Sequence, residues 1–235
     1  MQKVISPYMA AAALLIFLLA ASRSFAQNDS DVRVTAFGSG SFLKGDRSFT
    51  VDGDPKRSNF ATGGKFGVRV TGNLNSRFAV EGAYSYGTNN LRIIDVGPPA
   101  VTRPFGTRLH QITGNGLYYF SDEPKKGLKP FVTAGLGLAR FNPTSKAKSA
   151  ATVEFVNAPA TINGNTKLEF NFGGGAEATI TDHWGARVDL RDHIAGIPHF
   201  GIPQAPAAGI ADFFPVNGVV NDVELSGGVV FHFGH

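Results

Sequence analysis

The sequence predicts an all-β protein, an eight-stranded antiparallel up-and-down barrel that crosses a membrane, and three observations predict it. Eight segments alternate between apolar and polar residues, the period of a strand with one apolar face. The connections between them are alternately short and long, and aromatic residues collect at the segment ends. With 29 Gly and 20 Phe among 235 residues, against 2 Met and 1 Trp, composition also favours a tightly curved β-protein over a helical one.

The chain opens on a stretch that is not part of this pattern. Lys3 supplies a positive start, Met9 to Ala21 are about 13 apolar residues, and Ser24-Phe25-Ala26 places small residues where a signal peptidase cuts. Residues 1–26 therefore read as a secretory signal peptide, leaving residues 27–235 as one barrel domain. The chain has no cysteine, which excludes a disulfide scaffold and a lipoprotein anchor. The net charge of +4 falls to +2 once Lys3 and Arg23 are removed, too small a bias to imply nucleic acid.

From Val32 to Phe42, Val32, Val34, Ala36 and Phe42 oppose Arg33, Thr35, Ser39 and Ser41. In the second segment, Gly64 to Thr71, Phe66, Val68 and Val70 oppose Lys65, Gly67, Arg69 and Thr71. The third, Phe78 to Tyr86, sets Phe78, Val80, Tyr84 and Tyr86 against Ala79, Glu81, Ala83 and Ser85. In the fourth, Leu109 to Phe120, Ile112, Tyr118 and Phe120 point out and Gln111, Thr113 and Asn115 in. The fifth, Pro130 to Phe141, sets Val132, Ala134, Leu136 and Leu138 against Thr133, Gly135 and Gly137. The sixth and seventh lie within Lys167 to Arg191, reversed by Thr181-Asp182-His183, with Lys167, Glu169, Glu177, Arg187, Asp189 and Arg191 on the polar face. The eighth, Asp222 to Phe233, sets Val223, Leu225, Val229, Phe231 and Phe233 against Glu224, Ser226, Gly228 and His232. Each is long enough for a tilted membrane-spanning strand.

The connections decide which side of the wall is wet. Gly72 to Ser76, Ser121 to Leu128 and Thr181 to His183 are short and polar, whereas Leu43 to Asn59, Gly87 to Arg108, Asn142 to Gly164 and Ile194 to Asn221 are long. Outer-membrane barrels pair short periplasmic turns with long external loops, and an even strand number closes the sheet without an edge. Phe78, Tyr118, Phe120, Trp184, Phe231 and Phe233 fall at the expected periplasmic ends, with Phe42, Tyr84, Tyr86 and Phe170 toward the others, as two aromatic girdles. A secreted, soluble lipocalin-like barrel would alternate too, but it has no reason to sort its loops. The membrane reading implies outer-membrane lipid and lipopolysaccharide as partners.

An eight-stranded barrel is only wide enough for side chains to fill it. The expected polar filling is Arg33, Lys65, Arg69, Glu81, Lys167, Glu169, Glu177, Arg187, Asp189, Arg191 and Glu224, of mixed sign as buried charges must be. If the second and third segments pair across their short turn, Arg69 falls opposite or diagonal to Glu81, within reach of a salt bridge. In the late hairpin Gly175 is expected near Arg187 and Gly173 near Asp189, bare glycines making room for long side chains.

Phe170-Asn171-Phe172-Gly173-Gly174-Gly175, followed by His183-Trp184-Gly185-Ala186-Arg187-Val188-Asp189-Leu190-Arg191, resembles the late hairpin of small eight-stranded outer-membrane barrels of the OmpA-like transmembrane-domain type. Lys129-Pro130-Phe131-Val132 leading to Gly135-Leu136-Gly137 is similar to that family's fifth strand. The resemblance runs from Asp31 to Phe233 and implies insertion by the barrel-assembly machinery. That machinery would read Phe231 and Phe233, although Gly234 and His235 follow where the family ends on an aromatic. A periplasmic peptidoglycan-binding domain, present in full-length OmpA, is not expected here.

Chemical motifs are few. The glycines from Gly173 precede no helix and no Lys-Ser/Thr, so they are not a phosphate loop. His110, His183, His193 and His232 lack the His-x-Ser pair of lipid A deacylases, and Asp192-His193 has no ten-stranded protease around it. The pairs His193 with His199 and His232 with His235 have weak metal-site spacing. No catalytic, metal or cofactor residue is therefore assigned. The first long loop, with Lys44, Asp46, Arg47, Asp52, Asp54, Lys56 and Arg57, reads as solvated. The last, with Ile194, Ile197, Phe200, Ile202, Ile210, Phe213 and Phe214, is either a lid over the mouth or a contact surface for a ligand. The expected function is non-enzymatic, in envelope integrity or surface interaction, with a narrow porin-like channel for ions or small solutes as the alternative.

Overall fold

A computed structural model of the chain describes residues 32–44, 47–51, 54–95, 101–121, 127–154, 162–201 and 218–233. The strands are β1 (Val32–Lys44), β2 (Arg47–Val51), β3 (Asp54–Phe60), β4 (Gly63–Asn73), β5 (Phe78–Asp95), β6 (Val101–Tyr119), β7 (Gly127–Pro143), β8 (Asn165–Thr179), β9 (Trp184–Gly196) and β10 (Val219–Phe233), with one helix, α1 (Ser145–Glu154). Eight of the strands close an antiparallel ring in the order β1, β4, β5, β6, β7, β8, β9, β10. The ring shuts where β1 meets β10, from Val32 opposite Phe233 to Lys44 opposite Asn221. Closure pairs every ring strand on both sides, which a wall in lipid requires because no water can satisfy an open edge.

All eight expected segments are strands, and side chains alternate in burial along each of them. The short reversals are tight. After β4, Asn75 accepts hydrogen bonds through its side-chain oxygen from the backbone N–H of Arg77 (2.9 Å) and Phe78 (2.8 Å). After β8, the backbone N–H groups of Ile180 and Thr181 both donate to Trp184 O at 2.9 Å.

The long connections differ from expectation. Leu43 to Asn59 is not simply a solvated loop, because β2 and β3 form a hairpin there and β3 pairs with β5 from Phe60 opposite Leu91 to Lys56 opposite Asp95. Gly87 to Arg108 is largely strand: β5 and β6 stay paired from Phe78 opposite Tyr118 to Asp95 opposite Val101. Asn142 to Gly164 carries α1. The strand departures share a cause. Beyond the bilayer a strand need not keep one apolar face, so the alternation that marks a strand inside it lapses while the backbone still needs hydrogen-bond partners. The hairpin β2–β3 and the upper parts of β5 and β6 make a four-stranded sheet on the long-loop side. Residues 1–26 and 202–217, which hold the expected signal peptide and most of the last loop, lie outside the described residues, as do Gly234 and His235.

Two apolar clusters sit inside the ring at opposite ends. Ala79, Leu117, Tyr119 and Phe131 pack near the short turns. Leu43, Leu109, Ala139, Phe141, Ala147, Ile162, Ala195, Ile197, Phe200 and Val220 pack at the mouth, where Ala147 comes from α1. Of the apolar last loop, Ile194 is instead in β9, half-buried and on its outward face, whereas Ile197 and Phe200 are buried against the barrel; Ile202, Ile210, Phe213 and Phe214 lie outside the described residues. The outer wall is the reverse of a soluble protein's: Leu168 is 73% exposed, Phe66 63% and Leu136 61%. Apolar surface on this scale, all round a closed ring, belongs in hydrocarbon.

Candidate functional site

Where side chains are described, odd positions of β1, β4, β5, β6, β7, β8 and β9 point inward, as do even positions of β10. This parity brings together residues that are far apart in sequence. Five cations (Arg33, Lys65, Arg69, Arg187 and Arg191) and six carboxylates (Glu81, Glu169, Glu177, Asp189, Asp222 and Glu224) are buried in the lumen among the described residues.

They form a ladder. At the short-turn end Arg33 donates to Glu177 Oε1 (2.6 Å), Asn73 Oδ1 (2.6 Å) and the Tyr119 hydroxyl (3.0 Å). In the middle Asp189 is held in a fork by Arg187, through Nε to Oδ2 and Nη2 to Oδ1, both 3.0 Å. Arg191 donates to the same Oδ1 at 2.9 Å. Glu81 faces this pair, 2.9 Å from Arg187 Nη1 and 2.9 Å from Arg191 Nη1, and also accepts from Asn115 at 3.0 Å. Rings line the arginines: Arg187 lies 4.4 Å from the Phe131 centroid and Arg69 3.6 Å from that of Phe37, where the π-face favours a cation.

Toward the mouth the partners change. Arg69 bridges Asp189 (3.2 Å) and Glu224 (3.0 Å). Lys65 donates to Asp222, to Glu224 (3.0 Å) and to Gln111 (2.7 Å). Gln111 in turn donates to Glu169 at 2.8 Å, whose other oxygen lies 2.6 Å from His193 Nδ1. His193 Nε2 is 4.0 Å from Glu224 Oε2. A void no larger than about one water molecule remains between Phe37, Arg69, Gln111, Arg191, His193 and Glu224. Such a chain of opposed charges is what burial demands, since a desolvated ion without a partner is far costlier than a paired one.

Of the eleven expected lumen residues, ten are buried in this ladder. The eleventh, Lys167, sits half-buried at the mouth, with Nζ 3.4 Å from His199 Nδ1. Three other expectations change. Arg69 is diagonal to Glu81, because Thr71 stands opposite Glu81 and Ala83 opposite Arg69, yet its ion pairs go across the lumen to Asp189 and Glu224. Gly175 faces Asp189 and Gly173 faces Arg191, two positions from expectation, with Glu177 opposite Arg187; the turn is centred on Asp182, and that sets the register. The glycines chiefly admit close approach of the neighbouring backbone rather than long side chains: a Cβ on Gly173 would collide with Leu190 O, and one on Gly175 would collide with Val188 O and lie 2.8 Å from Phe131 Cζ. His193, which lies past the expected end of the seventh segment at Arg191, is in β9.

Sequence reasoning missed Asp222, His193, Phe37 and Tyr119 as lumen partners. Parity alone finds the first two, two positions beyond Glu224 and Arg191. The inward rings carry no polar signal, so nothing in the alternation marks them as arginine platforms.

On the outer wall, Phe78, Tyr118 and Phe120 form one aromatic cluster, with centroids 5.1 and 5.4 Å apart. Trp184, Phe231 and Phe233 form another, at 4.9 and 4.6 Å. Both lie at the short-turn end. Tyr84, Tyr86 and His110 group higher up, the Tyr84 hydroxyl 3.0 Å from His110 Nδ1. Among the described residues no group of three or more His, Cys, Asp or Glu could hold a metal ion.

None of the curated proteins compared matches the chain. Among solved structures, outer membrane protein OprG from Pseudomonas aeruginosa is 12% identical, with a TM-score of 0.52 over 88% of this chain and 97% of that one. Outer membrane protein AlkL in lipid bilayers is 13% identical, with a TM-score of 0.50 over 88% and 92%. The N-terminal β-barrel domain of Pseudomonas aeruginosa OprF is 19% identical, with a TM-score of 0.46 over 86% and 97%. At these identities the likeness is one of fold. The outer membrane protein beta-barrel domain family matches residues 10–233, nearly the whole sequence, and the chain belongs to that family.

Proposed function

We propose that the protein is a non-enzymatic outer-membrane barrel with a non-conducting lumen, serving envelope integrity or surface interaction. The observation that carries this reading is the ladder itself: each of the five buried cations is held by carboxylates from other strands, with apolar clusters at both ends. A lumen filled in this way is a plug rather than a path. The four-stranded sheet of β2, β3, β5 and β6 beyond the mouth is the surface such a scaffold would present. Export through cleavage after Ala26 belongs to the same proposal, and amino-terminal sequencing of the mature chain should then begin at Gln27.

The competing reading, a narrow channel for ions or small solutes, takes its support from the water-sized void beside Arg69 and His193. Planar-bilayer recording of the refolded protein separates the two. The plug predicts no steady current from the native chain, and discrete openings from it would overturn the reading.

A further inference from the structure

The outer wall of β5 to β8 carries a feature that neither the lumen nor the aromatic girdles explain. Arg108 and Arg140 both face outward on adjacent strands: Arg108 stands opposite Asn142, and His110 opposite Arg140. The two arginines are therefore diagonal neighbours, about 7–8 Å apart. Arg108 is exposed and has no hydrogen-bond or ion-pair partner among the described residues. Arg140 donates from Nε to Asn142 Oδ1 (3.2 Å) and from Nη1 to Thr166 Oγ1 (3.4 Å), which orients its guanidinium without neutralising it. Among the residues whose side chains are described, residues 78–89 of β5, 106–119 of β6 and all of β7 and β8, no carboxylate faces outward.

Height matters as much as charge. His110 lies opposite Tyr86, eight positions above the lower girdle at Phe78. At about 2.6 Å of rise per residue along the axis of a tilted strand, that is roughly 21 Å, so the arginines sit at the top of an apolar band about 25 Å tall. An uncompensated cation on a lipid-facing wall is tolerated there only where an anion or water can meet it.

We propose that Arg108 and Arg140, with His110 and the Tyr84 hydroxyl beside them, hold a phosphate of the outer-leaflet glycolipid, the phosphorylated diglucosamine headgroup of lipid A. A pair of guanidinium forks suits a phosphate, which accepts bidentate hydrogen bonds. The end of the barrel that bears the long connections faces outside, and at that level of an outer membrane the anionic group is the glycolipid's. This inference rests on the outer-membrane location and not on whether the lumen conducts.

The test is native mass spectrometry of the refolded full chain in detergent with lipid A bearing both phosphates, and with the same lipid after both are removed. The phosphorylated lipid is expected to remain bound, and the double variant Arg108→Gln/Arg140→Gln to bind it about tenfold more weakly. Arg57→Gln, which removes an exposed cation on β3, should leave binding unchanged. Equal retention of the dephosphorylated lipid by the native chain would overturn the proposal and needs no variant. So would undiminished binding by the double variant, or displacement of lipid A by micromolar inorganic phosphate, which would make this a site for free anions.

Discussion

The lower and upper halves of the lumen solve the same problem with different chemistry. Below, Arg33, Arg187 and Arg191 grip Glu177, Glu81 and Asp189 through planar forks, and Tyr119 and Phe131 back the guanidinium groups. Above, a lysine, a glutamine and a histidine share Asp222, Glu224 and Glu169. The arginine fork is always charged and geometrically fixed, whereas an ammonium and an amide can reorient. The lower half is thus a rigid keystone, and the upper half an adaptable layer beneath the mouth.

The largest expected effect falls on the keystone. Arg187→Ala would leave Glu81 and Asp189 short of their main partner and should lower the stability of the refolded barrel by about 3–5 kcal/mol, read by urea titration of Trp184 fluorescence. Lys65→Met should cost less, about 2–3 kcal/mol, because Asp222 keeps Ser41 and Glu224 keeps Arg69. A larger loss from Lys65→Met than from Arg187→Ala would reverse the comparison. Gly175→Ala sets a methyl against the Val188 carbonyl and the Phe131 ring and should cost about 1–3 kcal/mol by overpacking, seen as a lower temperature for the electrophoretic shift between folded and unfolded forms. The smallest change, about 1 kcal/mol, is expected for His193→Gln, which removes one contact to Glu169 in the adaptable layer. If that variant instead opens steady conductance, the upper half is a gate and not a layer of the plug.

How much of this could be read from sequence follows the membrane boundary. Inside the bilayer one face must be apolar, so period-two alternation located all eight ring strands and the inward side of Arg33, Lys65, Glu81 and Glu224. Outside it that constraint lapses, and Thr88 to Asp95, Val101 to Arg108 and the hairpin β2–β3 went unread as strands. The partners inside the ladder were harder still. Adjacent strands reveal which residues are neighbours in the sheet, but Arg69 reaches Asp189 and Glu224 across the lumen, a pairing fixed by barrel diameter and strand stagger. The outward Arg108 and Arg140 were passed over because they interrupt the apolar face just where the alternation was expected to end.

Those cross-lumen pairings also bear on how the molecule comes into being. Arg33, near the start of the ring, finds Glu177 144 positions later, and Lys65 finds Asp222 157 positions later. Such unions cannot form until the sheet has curled round to bring early and late strands face to face. Before that moment the chain in transit carries its charges into water, where they keep it dispersed; a half-closed sheet in lipid would strand them. The polar interior therefore works as a checkpoint on assembly, rewarding only the complete circle.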